Sequence, residues 1–292
     1  MDTPRFYEQA ELDRIHKMEL EILVDFMTIC EKNHLHYFAL AGTGIGAIRH
    51  GGFIPWDDDI DIGLPRADFE KFIRIVEAEM GDKYYVLNIE HDPKFPLTST
   101  RLCIRGTRFV ERAFMDVDCP LGIFLDLYAF DNLADGSFAY QKQVWTAWFW
   151  SKLIILRSIR RPVLYQSGLK AKMIWAACAV IHDTMVLCRI SPQWLYKRCK
   201  KACTKYNYKK TKRFGYPCDT NPHWNTLYKE DTFPTKRWKF ENVKLRFPKD
   251  MEKMLHGFYG DTYMQLPPEE KRKTHYPYIL DFGDGTGRKE EK

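Results

Sequence analysis

Ala41-Gly42-Thr43-Gly44-Ile45-Gly46-Ala47-Ile48-Arg49-His50 is followed shortly by Ile54-Pro55-Trp56-Asp57-Asp58-Asp59-Ile60-Asp61-Ile62. The two runs set a glycine-rich turn one short helix ahead of four carboxylates packed into five positions. Like charges at that density repel one another and cost stability unless a cation shares the site. Exposed glycine N–H groups, for their part, suit phosphate oxygens. A phosphate cradle beside a divalent-metal cluster reads as phosphoryl-transfer chemistry.

Spacing sharpens the reading. Residues two apart on a strand share a face, so Asp57, Asp59 and Asp61 point one way while Ile60, Ile62 and Leu64 enter the core. Hard oxygen ligands in this arrangement suit Mg²⁺ or Mn²⁺. A third ligand is expected at Asp126, the only charge in Gly122-Ile123-Phe124-Leu125-Asp126-Leu127-Tyr128. A lone acid in an apolar strand must be paired, protonated or bound to metal; the plainer alternative is a buried structural acid. A calcium loop would need glycine at position six and glutamate at position twelve, where Ile62 and Asp68 stand. The G-x-G-x-x-A match of Gly42–Ala47 to a dinucleotide turn is weak, because His50-Gly51-Gly52 ends the following helix early.

These residues resemble the LicD family. The resemblance rests on Leu40-Ala41-Gly42-Thr43, Gly46–His50, Gly52–Ile62 and Gly122–Leu127, and more weakly on Tyr259–Met264 and Leu266–Arg272. That family includes bacterial phosphocholine transferases and fukutin-related ribitol-phosphate transferases, with a nucleotidyltransferase-like fold. The resemblance implies Asp59 and Asp61 as paired metal ligands, Asp126 as the third and as proton acceptor, and Asp57 as a supporting acid. Gly42 and Thr43 would hold the donor phosphate. Arg49 and His50, and less directly Arg101 and Arg105, are further phosphate candidates. The implied reaction takes a CDP-activated alcohol, CDP-choline before ethanolamine, glycerol or ribitol. A hydroxyl of a lipid-linked or cell-surface glycan, of the lipopolysaccharide, teichoic acid or capsule kind, attacks the distal phosphorus and CMP leaves. Alternatives are an NTP-dependent nucleotidyltransferase and a catalytically inactive scaffold of the same fold that binds membrane or a partner.

Periodicity predicts a mixed α/β core. A helix is expected over Tyr7–Asn33, with Ile15, Met18, Ile22, Phe26 and Ile29 on one stripe. Strands are expected at Tyr37–Leu40, Ile60–Leu64, Tyr84–Ile89, Leu97–Ile104 and Ile123–Tyr128, with a helix at Arg66–Met80. A hairpin is expected at Trp238–Phe240 and Val243–Phe247, then a helix at Lys249–Tyr259 and a proline-bearing tail. The expected organisation is a catalytic core over 1–134, a basic helical insertion over 135–225, and a C-terminal part over 226–292 that completes the core.

The insertion stands out by charge. Lys142 to Arg213 holds seventeen lysines and arginines against the single acid Asp183, within a chain of net charge +6. Its apolar runs are all interrupted well short of the roughly 18 residues a bilayer span needs. Basic, aromatic helices of this kind suit an anionic membrane surface, whereas no nucleic-acid recognition motif accompanies them. Most of the aromatics are expected to be core, with the lysines meeting the membrane. The start of the chain reads as a polar helix with no signal segment, so the expectation is a cytoplasmic protein on the inner face of the membrane. Eight scattered cysteines without a C-x-x-C pair indicate neither a zinc site nor a disulfide framework. The i, i+4 spacing of Cys199 and Cys203 reads as coincidence.

Overall fold

The computed structural model describes residues 7–164, 167–272 and 274–289. Helix α1 (Gln9–Lys32) buries Leu12, Ile15, Ile22, Phe26 and Ile29 along one stripe, as the periodicity demands. Strand β1 (Phe38–Ala39) then enters α2 (Ala41–Arg49). The glycine-rich run is therefore helical, not a turn. Its glycines sit where the helix meets neighbours closely: a Cβ on Gly44 would lie 3.1 Å from Leu255, and one on Gly46 only 2.3 Å from the Gly52 carbonyl oxygen. The helix stops at His50, and Gly51 takes a positive φ of 74° to turn the chain back.

Strand β2 (Asp61–Pro65), helix α3 (Arg66–Met80) and strands β3 (Tyr84–Leu87), β4 (Thr100–Ile104) and β5 (Arg108–Glu111) follow. The long β6 (Phe124–Leu133) is the spine of the sheet. Its first half lies between β2, to which it runs parallel, and β4, to which it runs antiparallel. The central sheet has the order β1-β2-β6-β4-β3. Ile60, Ile62 and Leu64 are fully buried, as alternation predicted.

Helices α4 (Ser137–Ser158), α5 (Gly168–Leu187) and α6 (Pro192–Cys203) make up the basic segment, and strands β7 (Arg213–Gly215) and β8 (Thr226–Tyr228) extend the sheet from the far half of β6. The inner faces of α4 and α6 belong to the main core: Ala147, Ile154, Leu195 and Cys199 are buried in one cluster with Ile62 and Phe130. Helix α5 differs. Only Ala171 and Met185 are buried along its 20 residues, and Leu169, Met173, Val180, Val186 and Leu187 are exposed. The aromatics of this region accordingly divide. Trp145 and Phe149 on α4, Trp175 on α5 and Trp194 on α6 are exposed at the surface. No single helix among the described residues is long and apolar enough to cross a membrane.

The chain closes with α7 (Lys229–Thr232), the hairpin β9 (Lys236–Phe240) and β10 (Val243–Phe247), and α8 (Met251–Tyr259), capped by the Asp250 carboxylate accepting from Lys253 N–H at 3.0 Å. Strands β11 (Pro277–Asp281) and β12 (Gly287–Lys289) join β5 in a small second sheet, so the expected tail is partly structured.

Gly46→Ala tests the close approach of α2 to the following loop. Its Cβ would be 2.3 Å from the Gly52 carbonyl and 3.2 Å from the Ile54 nitrogen, both backbone atoms. Overpacking of this kind costs about 1–3 kcal/mol, so thermal melts should show a clear loss of Tm. An unchanged melting temperature would mean that the loop yields freely.

Candidate active site

Strand register assembles the acids. Asp61 on β2 lies directly opposite Asp126 on β6, and Asp126 lies opposite Arg101 on β4. Asp59, just upstream of β2, completes the group: carboxylate oxygens of Asp59, Asp61 and Asp126 all lie within 4.8 Å of one another. Asp126 is buried, and its Oδ1 has no hydrogen-bond partner, with Arg101 Nε 3.5 Å away. An all-carboxylate set with an orphaned buried oxygen fits a hard divalent cation such as Mg²⁺ or Mn²⁺.

Other side chains fix these acids in place. Asp61 N–H donates to Thr43 Oγ1 at 2.9 Å, and Tyr128 OH donates to Asp61 Oδ1 at 3.1 Å. Arg101 donates to Glu111 at 2.6 Å and stacks 3.7 Å from the centre of the Phe124 ring. Asp58 is fully buried, its carboxylate close to that of Asp59 and to the His275 ring. It accepts from Tyr7 OH and, at 2.9 Å, from the His275 backbone N–H. The His275 ring bridges Asp58 and Asp59 at 3.2 and 3.3 Å. His16 donates to the Asp57 carbonyl at 2.7 Å and stacks on Phe53, so α1 braces the acidic loop from below.

Electrostatics record the crowding. Burial, then Asp59 and Asp126, push Asp61 well above the usual carboxylate range, although its bond from Tyr128 pulls the other way. Burial, then Asp59 and Asp58, do the same to Asp57. Asp126 is raised by burial to about 6, with Arg101 limiting the rise. Glu19, wholly buried on α1, is raised well above its ordinary value by burial and then by Asp59. Burial opposes a charged His275, but Asp59 and the Asp58 hydrogen bond outweigh it and hold the imidazole well above its ordinary range. The site is thus deficient in positive charge.

The acids open into a cavity of about 690 Å³. Gly42, Arg49, Trp56, Asp57, Asp59 and Asp61 line one side; Tyr259, Tyr263, Gln265, Arg272 and His275 line the other. Arg272 lies over the Trp56 ring at 4.2 Å, and Arg49 is anchored by the Tyr263 and Gln265 carbonyls at 3.2 and 3.1 Å.

Several sequence-based assignments change. Thr43 is buried with its hydroxyl engaged by Asp61, which makes it a brace of the acidic strand and no open phosphate ligand. Gly42 does line the cavity, but Asp57 Oδ2 sits against it, 2.8 Å from where a Cβ would stand. Arg101 is buried beside Glu111 and Asp126 and does not line the cavity. Arg105 is outside the cavity, donating to the Gly81 carbonyl at 2.6 Å. His50 accepts from Arg49 Nε at 2.9 Å and does not line the cavity. The reading missed His275, Arg272, Asp58 and Glu19. Asp58 stood within the acidic run and Arg272 in the weaker C-terminal block, and Glu19 left a signal of its own: an acid on the apolar stripe of α1, four residues after Ile15.

The sequence is similar to those of known proteins. The LicD/FKTN/FKRP nucleotidyltransferase domain matches residues 34–112. The lipopolysaccharide cholinephosphotransferase LicD of Haemophilus influenzae is 28% identical over 282 residues, which cover 89% of this chain and 95% of that protein. An uncharacterized protein of Rickettsia typhi is 39% identical over 56 residues, 19% of this chain and 18% of that protein. Another, of Rickettsia prowazekii, is 42% identical over 48 residues, 16% of this chain and 18% of that protein.

Asp126 makes a pH dependence that can be measured. An acid whose pKa rises on folding binds more protons in the folded chain, so stability is greatest at low pH and falls as pH rises from 3.8 to about 6. The full shift corresponds to about 3 kcal/mol. In chelator, urea unfolding of Asp126→Asn should show a shallower fall across this window than the wild type. Identical slopes would mean that Asp126 is not ionised against its surroundings.

Proposed function

We propose that this chain is a member of the LicD family and transfers phosphocholine from CDP-choline to a hydroxyl of a cell-surface glycan or its lipid-linked precursor, with lipopolysaccharide the leading acceptor. The observation that carries the reading is the Asp59, Asp61 and Asp126 cluster, of which Asp59 and Asp61 line a cavity that also holds cations and aromatic rings. The similarity to a lipopolysaccharide cholinephosphotransferase over most of both chains supports the choice of head group and acceptor.

Asp59, Asp61 and Asp126 would hold the divalent metal, with Asp57 in support. Bound there, Mg²⁺ would neutralise the donor diphosphate and the charge that develops on departing CMP. Arg49 and Arg272 line the cavity as the cations for phosphate oxygens. Trp56, Tyr259 and Tyr263 offer ring faces to a trimethylammonium group. Asp126 Oδ1 takes the proton of the acceptor hydroxyl, whose oxygen attacks the phosphorus that bears choline. The bond from that phosphorus to the CMP oxygen breaks, leaving a phosphodiester and CMP. Thr43, Tyr128 and Arg101 hold the acids while this happens.

Acceptors of this kind are membrane-bound, and the surface of the basic segment suits them. Helix α5 presents apolar side chains along most of its length, and the surrounding segment from Lys142 to Arg213 carries a charge of +16. Such a helix lies in the plane of an anionic membrane interface, where each nearby lysine or arginine adds about 1 kcal/mol. This would put the protein peripherally on the inner face of the membrane.

The transferase reading is tested by CMP release from CDP-choline, CDP-ethanolamine, CDP-glycerol and CDP-ribitol, with Mg²⁺ or EDTA and a lipid extract containing glycan acceptors. CDP-choline should turn over only with metal. Tyr128→Phe should lose about 10–100-fold, the usual cost of removing a group that orients a ligand, and Asp59→Ala and Asp61→Ala should lose more. Pyrophosphate release from an NTP instead would identify a nucleotidyltransferase; silence in both would leave a binding scaffold. For membrane contact, flotation with anionic liposomes should show binding that weakens with salt. Leu169→Ser combined with Val180→Ser and Leu187→Ser should reduce it several-fold without changing turnover of soluble donor. Equal binding to neutral vesicles, or none, would overturn it.

A further inference from the structure

We infer that Cys199, Cys203 and Cys218 form a second metal site, for a thiophilic divalent cation of the zinc class, which ties α6 to the loop between β7 and β8. Cys199 and Cys203 lie one turn apart on α6 and present their sulfurs to the same side. The β7–β8 connection brings Cys218 to them from elsewhere in the chain, its Sγ 3.5 Å from that of Cys199 and 3.7 Å from that of Cys203. All three are buried.

Distances select among the uses of such a cluster. A disulfide has its sulfurs about 2.05 Å apart, so these are three separate thiols. Zinc held tetrahedrally at about 2.3 Å from sulfur sets its ligands about 3.8 Å apart, close to the spacing found. Three thiolates around a divalent ion leave one net negative charge, and a partner for it is in place. Lys152 on α4 reaches the same spot, donating to the Cys218 and Asp219 carbonyls at 3.2 and 2.9 Å. Among the described residues no carboxylate is in ion-pair contact with it, and Cys199, Cys218 and Asp219 are the groups whose negative charge would favour its ammonium. Thiolate ligands also separate this site from the carboxylate cluster, which suits harder ions.

The site would be structural. It would fasten the inner helix of the basic segment to the strand pair that extends the central sheet, and so fix the platform on which α4 and α5 rest.

The full chain, purified in reductant without added metal, is analysed for zinc by mass spectrometry after brief EDTA treatment, and then substituted with cobalt(II). A single equivalent of zinc should survive the chelator, and the cobalt form should show a sulfur-to-cobalt charge-transfer band in the near ultraviolet. Cys218→Ser should lose both signals, while Asp59→Ala should keep both, which separates this site from the acidic one. If Cys218→Ser does not fold, titration of the wild type with an organomercurial decides: zinc should be released in step with the loss of three thiols. A wild-type chain with no retained zinc and no charge-transfer band at stoichiometric cobalt would overturn the inference. So would a band that Cys218→Ser, properly folded, leaves intact.

Discussion

The parallel pairing of β2 with β6 is the constraint around which the molecule is built. It brings Asp61 and Asp126 side by side, and the antiparallel neighbour β4 adds Arg101 to the same row. Two carboxylates at adjacent positions in the middle of a sheet are costly to bury. The structure around them is largely compensation. Arg101 is itself paired with Glu111 and covered by Phe124, so it offsets the acids only in part. Burial, together with their mutual repulsion, holds Asp57, Asp59, Asp61 and Asp126 above the usual carboxylate range.

Chain segments far apart in sequence divide the work at this site. The early segment supplies the acids and, through Thr43 and the glycines of α2, the close packing that holds them. The late segment supplies the opposite wall and the cations. His275 reaches Asp58 and Asp59 because β11 pairs with β5, which returns the end of the chain to the catalytic face. Arg272 and Trp56 come from the two halves and meet across the cavity. A site made this way closes only when both halves have folded onto the sheet.

The basic middle segment is neither wholly a separate unit nor wholly core. Helices α4 and α6 bury their inner faces in the same cluster as the central sheet, and the Lys152 and cysteine contacts bind them to the β7–β8 loop. Helix α5 rides on α4 with its apolar residues turned outward. A helix that spends large hydrophobic side chains on the surface pays in stability unless something covers them.

By itself the sequence determined the elements and the chemistry that a local pattern can encode. The stripe on α1, the alternation of Ile60, Ile62 and Leu64 against the acids, the isolated Asp126 and the basic stretch were all legible, because helix and strand periodicity act over a few residues. The acidic cluster was legible for the same reason: charges that close in sequence cannot avoid one another in space. Tertiary structure alone decided the rest. It made the glycine run a packed helix, turned Thr43 and Arg101 inward as braces, left Arg105 outside, and brought His275 and Arg272 to the site. It also brought Cys218 to Cys199 and Cys203, where sequence spacing gave no hint of a cluster. Each of these depends on strand register or on contact between distant segments, and no local pattern carries that information.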